Sequence, residues 1–294
     1  MVADFDLVVG RSLAHVLQVL RHRPDARIVA GATDFIPFVR VGRWRPKLVV
    51  DINHLEELRV IDRVEGGLEI GALVTHARLI DSLLIRQLAG VLAEAAGYVG
   101  GPQVRARGTL GGNICTASPA ADTVPALLVL DAQVRLVSAE GERRLPLVNF
   151  FAGPGRTALG PGELLHSVVI PALPEGARAA FGKVGKRQAL VISVVNGAAL
   201  LAVEHGRIGQ ARIALGAVAP TVVRCPAAEE FLVGGGSVGR PAAAHLPSFE
   251  EAADLVLQSI RPINDVRGSA AYRRAAAVGL TRRLLAQAWG RVAQ

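Results

Sequence analysis

One segment, RGTLGGNICTASPAAD at residues 107 to 122, constrains the fold more than any other stretch of the chain. Gly111 and Gly112 allow a positive φ or a close backbone approach, and the run ends in the carboxylate of Asp122. The same run carries short hydrogen-bonding side chains, namely Thr109, Asn113, Thr116 and Ser118. The pattern predicts a loop that encloses a polar ligand, with the acid suited to a pair of ribose hydroxyls. An ordered surface loop packed on itself is the alternative.

A second small-residue segment, IVAGATDF at residues 28 to 35, precedes it in the chain. A strand pattern leads to Gly31, and Thr33 and Asp34 stand where a helix can begin. Unpaired N–H groups at such a strand-to-helix turn form an anion site that suits a diphosphate. Taken alone the segment is weak evidence, because many α/β proteins have this turn without any ligand.

The N-terminal half alternates helical and extended patterns. SLAHVLQVLRH at 12 to 22 has helical spacing, whereas residues 26 to 31 and 47 to 52 have the composition of short buried strands. Further elements follow in order: a hairpin-like strand over 66 to 75, a helix over 76 to 97, a loop from Gly100 to Pro119, then a helix leading into a strand pair that turns at Glu140 and Gly141.

The character of the chain changes after PALPEG at 171 to 176, which is typical of a linker between domains. Beyond it, apolar runs predict a three-stranded antiparallel meander with a hairpin turn at His205 and Gly206. Helical spacing then returns in AEEFLVG, in SFEEAADLVLQSI and in a long segment that starts at Ser269 as a candidate N-cap. The 294 residues therefore predict two compact domains or one large one.

Composition excludes several classes of function. Cys115 and Cys225 are the only cysteines, so the chain alone cannot hold an iron–sulfur cluster or a four-cysteine zinc site. The net charge of +8 comes from scattered basic residues, and an aromatic content of 4% argues against nucleic-acid binding. Apolar runs such as TVPALLVL are too short to span a bilayer, and acids stand where a signal peptide would be basic. A cytoplasmic location is expected.

Other candidate motifs fail for lack of context. GGGSVG at 234 to 239 fits a dinucleotide pattern but follows a predicted helix rather than a strand. GRTALGPG has P-loop spacing but has Pro161 where the lysine is needed. Ser118 lies outside any nucleophile elbow, and Cys115 is interpreted as a packing residue. The seven histidines are spread singly and do not form a metal-ligand pattern, which predicts surface or satisfied core positions for most of them.

Together, the two loops resemble those of the FAD-binding medium subunits of the molybdenum hydroxylases, the xanthine dehydrogenase and carbon monoxide dehydrogenase group. AGATDF is similar to the first FAD loop of that family, commonly AGGTD or AGGHS, and QVRARGTLGGNICTASPAADTVPAL follows the second almost residue by residue. The resemblance extends over nearly the whole chain through PGELLHSVVIP, FGKVGKR, ALGAVAPTVVR and DVRGSAAYRR.

The resemblance implies an α+β fold in two parts. Residues 1–174 would form an FAD-binding domain of the vanillyl-alcohol-oxidase-like type, with subdomains at about 1–56 and 57–174. Residues 175–294 would form a smaller domain of the carbon monoxide dehydrogenase flavoprotein type, an antiparallel sheet with helices.

The resemblance also implies where FAD is held. The diphosphate would lie on the first loop, at Ile28, Val29, Ala30, Gly31, Ala32, Thr33, Asp34 and Phe35. The rest of the dinucleotide would be held by Thr109, Gly112, Asn113, Thr116 and Asp122. Val99 and Gly100 would line one flavin face, and Leu165 and Lys183 would lie near the isoalloxazine, with Lys186 in place of Lys183 under another alignment.

This sequence departs from the family pattern at two of these positions. Ala32 stands where the family has glycine, so a positive φ cannot be assumed there. No bulky aromatic occupies position 99.

In such a complex a large molybdopterin subunit hydroxylates the substrate and a small subunit carries two [2Fe–2S] clusters. This chain would pass electrons from those clusters through FAD to an external acceptor, and the complex would be a dimer of heterotrimers. It would bind no metal and supply no catalytic residue. A stand-alone FAD oxidoreductase and a non-redox nucleotide-binding module are the alternatives, and co-purification distinguishes them.

Overall fold

The computed structural model describes residues 4–187, 190–204, 207–235 and 248–292. Helices and strands occur mostly in separate runs along this part of the chain, which confirms the α+β prediction. The predicted turn at His205 and Gly206 and most of GGGSVG lie outside the described residues.

A small parallel sheet opens the chain. It consists of β1 (Asp6–Val9), β3 (Leu48–Asp51) and β2 (Arg27–Val29), in that spatial order. The helices α1 (Leu13–His22) and α2 (Phe35–Arg40) connect its strands. The Ser12 side chain caps α1 by accepting from the N–H of His15, and Val16 and Leu20 are buried against the sheet. The helix predicted over 12–22 and both predicted strands are confirmed.

A five-stranded antiparallel sheet follows, and it forms one wall of the candidate site. Its order is β4 (Ile61–Val64), β5 (Gly67–Gly71), β10 (Leu164–Pro171), β6 (Gln133–Ser138) and β7 (Gly141–Pro146). A two-stranded ribbon, β8 (Phe151–Gly153) with β9 (Arg156–Thr157), lies beside it. Ser138 pairs with Gly141, which confirms the predicted turn between β6 and β7.

Six short helices lie between β5 and β6 along the chain. They are α3 (His76–Asp81), α4 (Leu83–Leu88), α5 (Gly90–Gly97), α6 (Pro102–Arg107), α7 (Leu110–Thr116) and α8 (Thr123–Val129). The prediction of one helix over 76–97 is wrong, because Ser82 leaves the helical conformation and caps a new helix by accepting from the N–H of Ile85. The predicted loop from Gly100 to Pro119 is wrong as well. Pro102 begins α6, and the Thr109 side chain caps α7.

The C-terminal part is a four-stranded antiparallel sheet with helices. The strands lie in the order β11 (Arg178–Val184), β12 (Val195–Glu204), β13 (Arg207–Gly216) and β14 (Val223–Arg224). The helices are α9 (Pro226–Val233), α10 (Phe249–Leu255) and α11 (Ala270–Val292). The predicted meander is confirmed and gains β14. Ser269 is confirmed as a cap of α11, because its hydroxyl accepts from the N–H of Tyr272.

Short 3-10 turns complete the chain at Glu56–Leu58, Leu147–Asn149 and Val256–Gln258. One apolar core joins the five-stranded sheet and the short helices to Phe181, Ala198, Leu200 and Ala214 of the C-terminal sheet. The opposite face of that C-terminal sheet is covered by α11, through Leu280 and Leu284. The layers therefore run sheet, helices, sheet, helix, and the first parallel sheet packs at one side.

Candidate functional site

A cavity of about 470 Å³ lies where the β2–α2 turn meets α7 and β10. Its size is that of a pocket for a small molecule or part of a larger one. Fourteen of the seventeen predicted site residues line it: Ile28, Val29, Ala30, Gly31, Ala32, Thr33, Asp34, Phe35, Val99, Thr109, Gly112, Asn113, Thr116 and Leu165. The tertiary structure thus brings both loops to one site, although they are about 80 residues apart in the chain.

The first loop approaches the second segment closely. A β-carbon at Gly31 would overlap the carbonyl oxygen of Arg107, so the residue at this position must be glycine. Ala32 has a φ of 62°, in the left-handed region, even though the family's glycine is replaced there. Ala32 therefore adopts the backbone conformation that glycine favours, and its backbone is strained.

Free backbone donors follow at the same turn. The N–H groups of residues 31 to 35 find no hydrogen-bond acceptor among the residues that the structure describes. All five residues line the cavity. Successive unpaired N–H groups of this kind suit an anionic ligand such as a diphosphate.

The second segment offers a ligand its side chains rather than its backbone N–H groups. Its N–H groups are used within the fold: Leu110 donates to Val74, Gly111 donates to Ala72, and Gly112 donates to the hydroxyl of Thr109. Gly111 and Gly112 lie in α7 and do not have a positive φ, so the close approach predicted for Gly111 is to Ala72 rather than to a ligand. The helix form of this segment replaces the predicted enclosing loop.

Two side chains of α7 are oriented by hydrogen bonds. The Thr116 hydroxyl donates to Asp34 Oδ2 at 2.8 Å, which ties the second segment to the first loop. Asn113 Oδ1 accepts from the Thr123 hydroxyl at 2.6 Å. Its Nδ2 amide has no partner in the described part of the chain and is held at the cavity wall. Asn113 therefore presents a free donor of fixed direction.

His76 is a cavity residue that sequence reasoning missed. It is 2% exposed, and its Nδ1 is buried without a hydrogen-bond partner. Burial, followed by the positive charge of Arg105, lowers its pKa from 6.5 to about 4. The ring is therefore neutral at physiological pH. The interpretation of most histidines as surface or satisfied core residues does not extend to His76, because a sequence does not reveal whether a buried ring finds a partner.

Apolar side chains form other parts of the wall. Leu165 is 3% exposed and lies on β10, next to an irregularity in the pairing with β6. Val99 is half-buried at the end of α5. Gly100, its neighbour, is exposed with a φ of 46° and does not line the cavity.

Asp122 and Lys183 lie outside the cavity lining. Asp122 Oδ2 accepts from Lys183 Nζ at 2.6 Å, and its Oδ1 accepts from Ser193 and Asn196, each at 2.7 Å. Both oxygens are thus occupied by this chain's own donors rather than left free for a ribose. Lys186 is exposed and donates to the carbonyl of Val266, so Lys183 is the lysine that points into the protein.

Cys115 and Cys225 carry the two thiols of the chain. Burial raises the pKa values of Cys115 and Cys225 to about 12, which keeps both thiols protonated and agrees with a packing role for Cys115. No cluster of three potential metal ligands occurs among the described residues, and His205 and His245 lie outside them. No helix within the described ranges is long and apolar enough to cross a membrane.

Comparison with known proteins places these features in a family. Residues 3–173 match the model of the FAD binding domain in molybdopterin dehydrogenase, and residues 180–288 match the CO dehydrogenase flavoprotein C-terminal domain. The chain is 36% identical to the 6-hydroxypseudooxynicotine dehydrogenase complex subunit alpha of Paenarthrobacter nicotinovorans, over 97% of this chain and 94% of that protein. It is 32% identical to the xanthine dehydrogenase FAD-binding subunit of Escherichia coli, over 94% and 93%.

A solved structure has the same fold along its whole length. It is the carbon monoxide dehydrogenase of Hydrogenophaga pseudoflava that lacks the Mo-pyranopterin moiety of its cofactor, with a TM-score of 0.91, 31% identity and 99% coverage of both chains. The chain belongs to the FAD-binding medium subunits of the molybdenum hydroxylases, and it is the flavoprotein subunit of an oxidoreductase of the xanthine dehydrogenase and carbon monoxide dehydrogenase family.

Proposed function

We propose that this chain binds FAD in the cavity and passes electrons from the [2Fe–2S] clusters of a partner subunit to an external acceptor. The observation that carries the proposal is the row of unpaired N–H groups at residues 31 to 35, which faces the same cavity as the free amide of Asn113. These donors have no use in the protein alone and match the oxygens of a dinucleotide. FAD, when bound, supplies the redox chemistry of the subunit.

The residues have distinct tasks in this proposal. The backbone of residues 28 to 35 binds the diphosphate, and Thr109, Gly112, Asn113 and Thr116 hold the rest of the dinucleotide. Leu165 and Val99 exclude water from the cavity wall next to the ring system. The resemblance to the family implies that Gly100, Asp122 and Lys183 lie near the flavin. None of the three lines the cavity.

The partners are part of the proposal. The relatives are named as subunits of dehydrogenases, for example a medium chain of carbon monoxide dehydrogenase. By analogy, a large molybdopterin subunit carries out the hydroxylation and a small subunit carries the clusters. A dimer of heterotrimers, a cytoplasmic location and a division of the chain near residue 174 stay predictions. The match to the first family model ends at residue 173 and the match to the second begins at residue 180, which supports this division.

Purification of the tagged full chain from its native host tests the proposal. We expect two further polypeptides to co-purify, together with flavin, molybdenum and iron measured on the same sample. A flavin-containing single chain without metals would indicate a stand-alone oxidoreductase. A chain without flavin would indicate a nucleotide-binding module of another kind.

A matched variant separates cofactor binding from assembly. Asn113→Asp should lose flavin and keep the partner polypeptides with their iron, because residue 113 lies in the cavity wall. Retention of full flavin content in this variant would contradict the assignment of the cavity.

A further inference from the structure

The imidazole of His76 stands at the cavity wall without a hydrogen bond. Its backbone is fixed, because its N–H donates to the carbonyl of Gly108 at 3.0 Å and Thr75 caps the helix that it begins. The ring has no such partner. Nδ1 is sealed inside the protein, and no described residue bonds to either ring nitrogen. Buried polar groups are bonded in the great majority of cases, so this ring calls for an explanation.

The position of the ring suggests one. A β-carbon at Gly108 would lie 3.2 Å from His76 Cδ2 and 3.4 Å from Thr33 Oγ1, so ring and first loop both border Gly108. Nε2 is bonded to Cδ2 and therefore lies on the same side of the ring. It is the nitrogen left with access to the cavity, which His76 lines together with residues 31 to 35.

The tautomer follows from the sealed nitrogen. A buried N–H without an acceptor is rarer in proteins than a buried acceptor without a donor. The proton of the neutral ring is therefore better placed on Nε2, where a ligand can accept it, than on Nδ1. Nε2–H then adds a side-chain donor beside the unpaired backbone donors of the first loop.

We propose that His76 is a positioning residue that donates from Nε2 to a diphosphate oxygen of FAD. The inference rests on the proposed binding of FAD in this cavity. It assigns to His76 a role in holding the adenosine diphosphate half of the cofactor, and none in electron transfer itself.

Two variants of the full chain, with any subunits that co-purify, test the assignment. His76→Phe keeps a planar ring and removes the donor, whereas His76→Gln keeps a donor of similar reach. We expect His76→Phe to weaken FAD binding by about tenfold and ADP binding by the same factor, since the lost hydrogen bond is to the diphosphate. His76→Gln should stay within about threefold of the wild type.

A stability measurement separates positioning from a structural role. The melting temperature of FAD-free His76→Phe should equal or exceed that of the wild type, because an apolar ring replaces an unsatisfied polar one. A fall in that melting temperature, an unchanged FAD affinity, or weaker FAD binding with unchanged ADP binding would each overturn the proposal. Wild-type protein that binds no FAD would instead refute the proposed function.

Discussion

Lys183 Nζ lies 2.6 Å from Asp122 Oδ2, and this ion pair joins the N-terminal helices to the C-terminal sheet. The Lys183 side chain is 6% exposed and that of Asp122 is 9% exposed. Asp122 directly precedes α8, whereas Lys183, Ser193 and Asn196 belong to the C-terminal part. A buried carboxylate with this many donors fixes how the two parts meet.

Removal of the cation from this pair should destabilise the protein. We expect Lys183→Met to lower the free energy of unfolding by about 3 kcal/mol, because it leaves the Asp122 carboxylate buried with two neutral donors only. Lys186→Met is the control, since Lys186 is exposed and bonds only to a backbone carbonyl. Urea denaturation measures both. Equal stability of the two variants would contradict the importance of the ion pair.

A charge change at Asn113 should affect cofactor binding without affecting the fold. Asn113→Asp keeps the acceptor for Thr123 and replaces the free amide donor with a negative charge. We expect the dissociation constant of FAD to rise at least about tenfold, and more at low salt, because the new charge repels the diphosphate. Asn149→Asp, at an exposed position, carries the same charge and should bind FAD normally. Fluorescence titration of flavin compares the two variants.

A methyl group at Gly31 should push the first loop away from the backbone of Arg107. Gly31→Ala is expected to lower the free energy of unfolding by about 2 kcal/mol or more, since its β-carbon overlaps the backbone of Arg107. Gly279→Ala, in the exposed middle of α11 with open space around it, should raise stability by about 0.5 to 1 kcal/mol. Thermal unfolding of both variants checks the contrast, and a neutral Gly31→Ala would refute the close approach.

The free energy of unfolding should decrease in acid because His76 is buried in its neutral form. Its pKa is 6.5 in an ordinary setting and about 4 in the folded protein, so the unfolded chain takes up the proton first. The free energy of unfolding is therefore unaffected by His76 above pH 7 and decreases as the pH falls from about 6.5 to 4, by about 3 kcal/mol in total. His76→Phe removes this dependence. Urea titrations of both proteins at pH 7 and pH 5 should show the larger loss in the wild type.

Much of the fold could be predicted because its signals are local. The helical spacing over 12–22, the cap at Ser269 and the apolar runs of the C-terminal strands predicted these elements correctly. The region from 76 to 119 was predicted less well. Ser82, Pro102 and Thr109 divide it into short helices, and their capping effect competes with apolar spacing that suits one long helix.

The sequence by itself determined the family and identified the two segments proposed to bind FAD, since small residues and glycines at fixed spacing mark them without reference to the rest of the chain. Only the tertiary structure decided which side chains meet. Thr116 reaches Asp34 across 82 positions, Asp122 is neutralised by a lysine 61 positions away, and His76 is left unbonded at the cavity. Such relationships depend on how sheets and helices pack, and local spacing along the chain does not encode packing between distant segments.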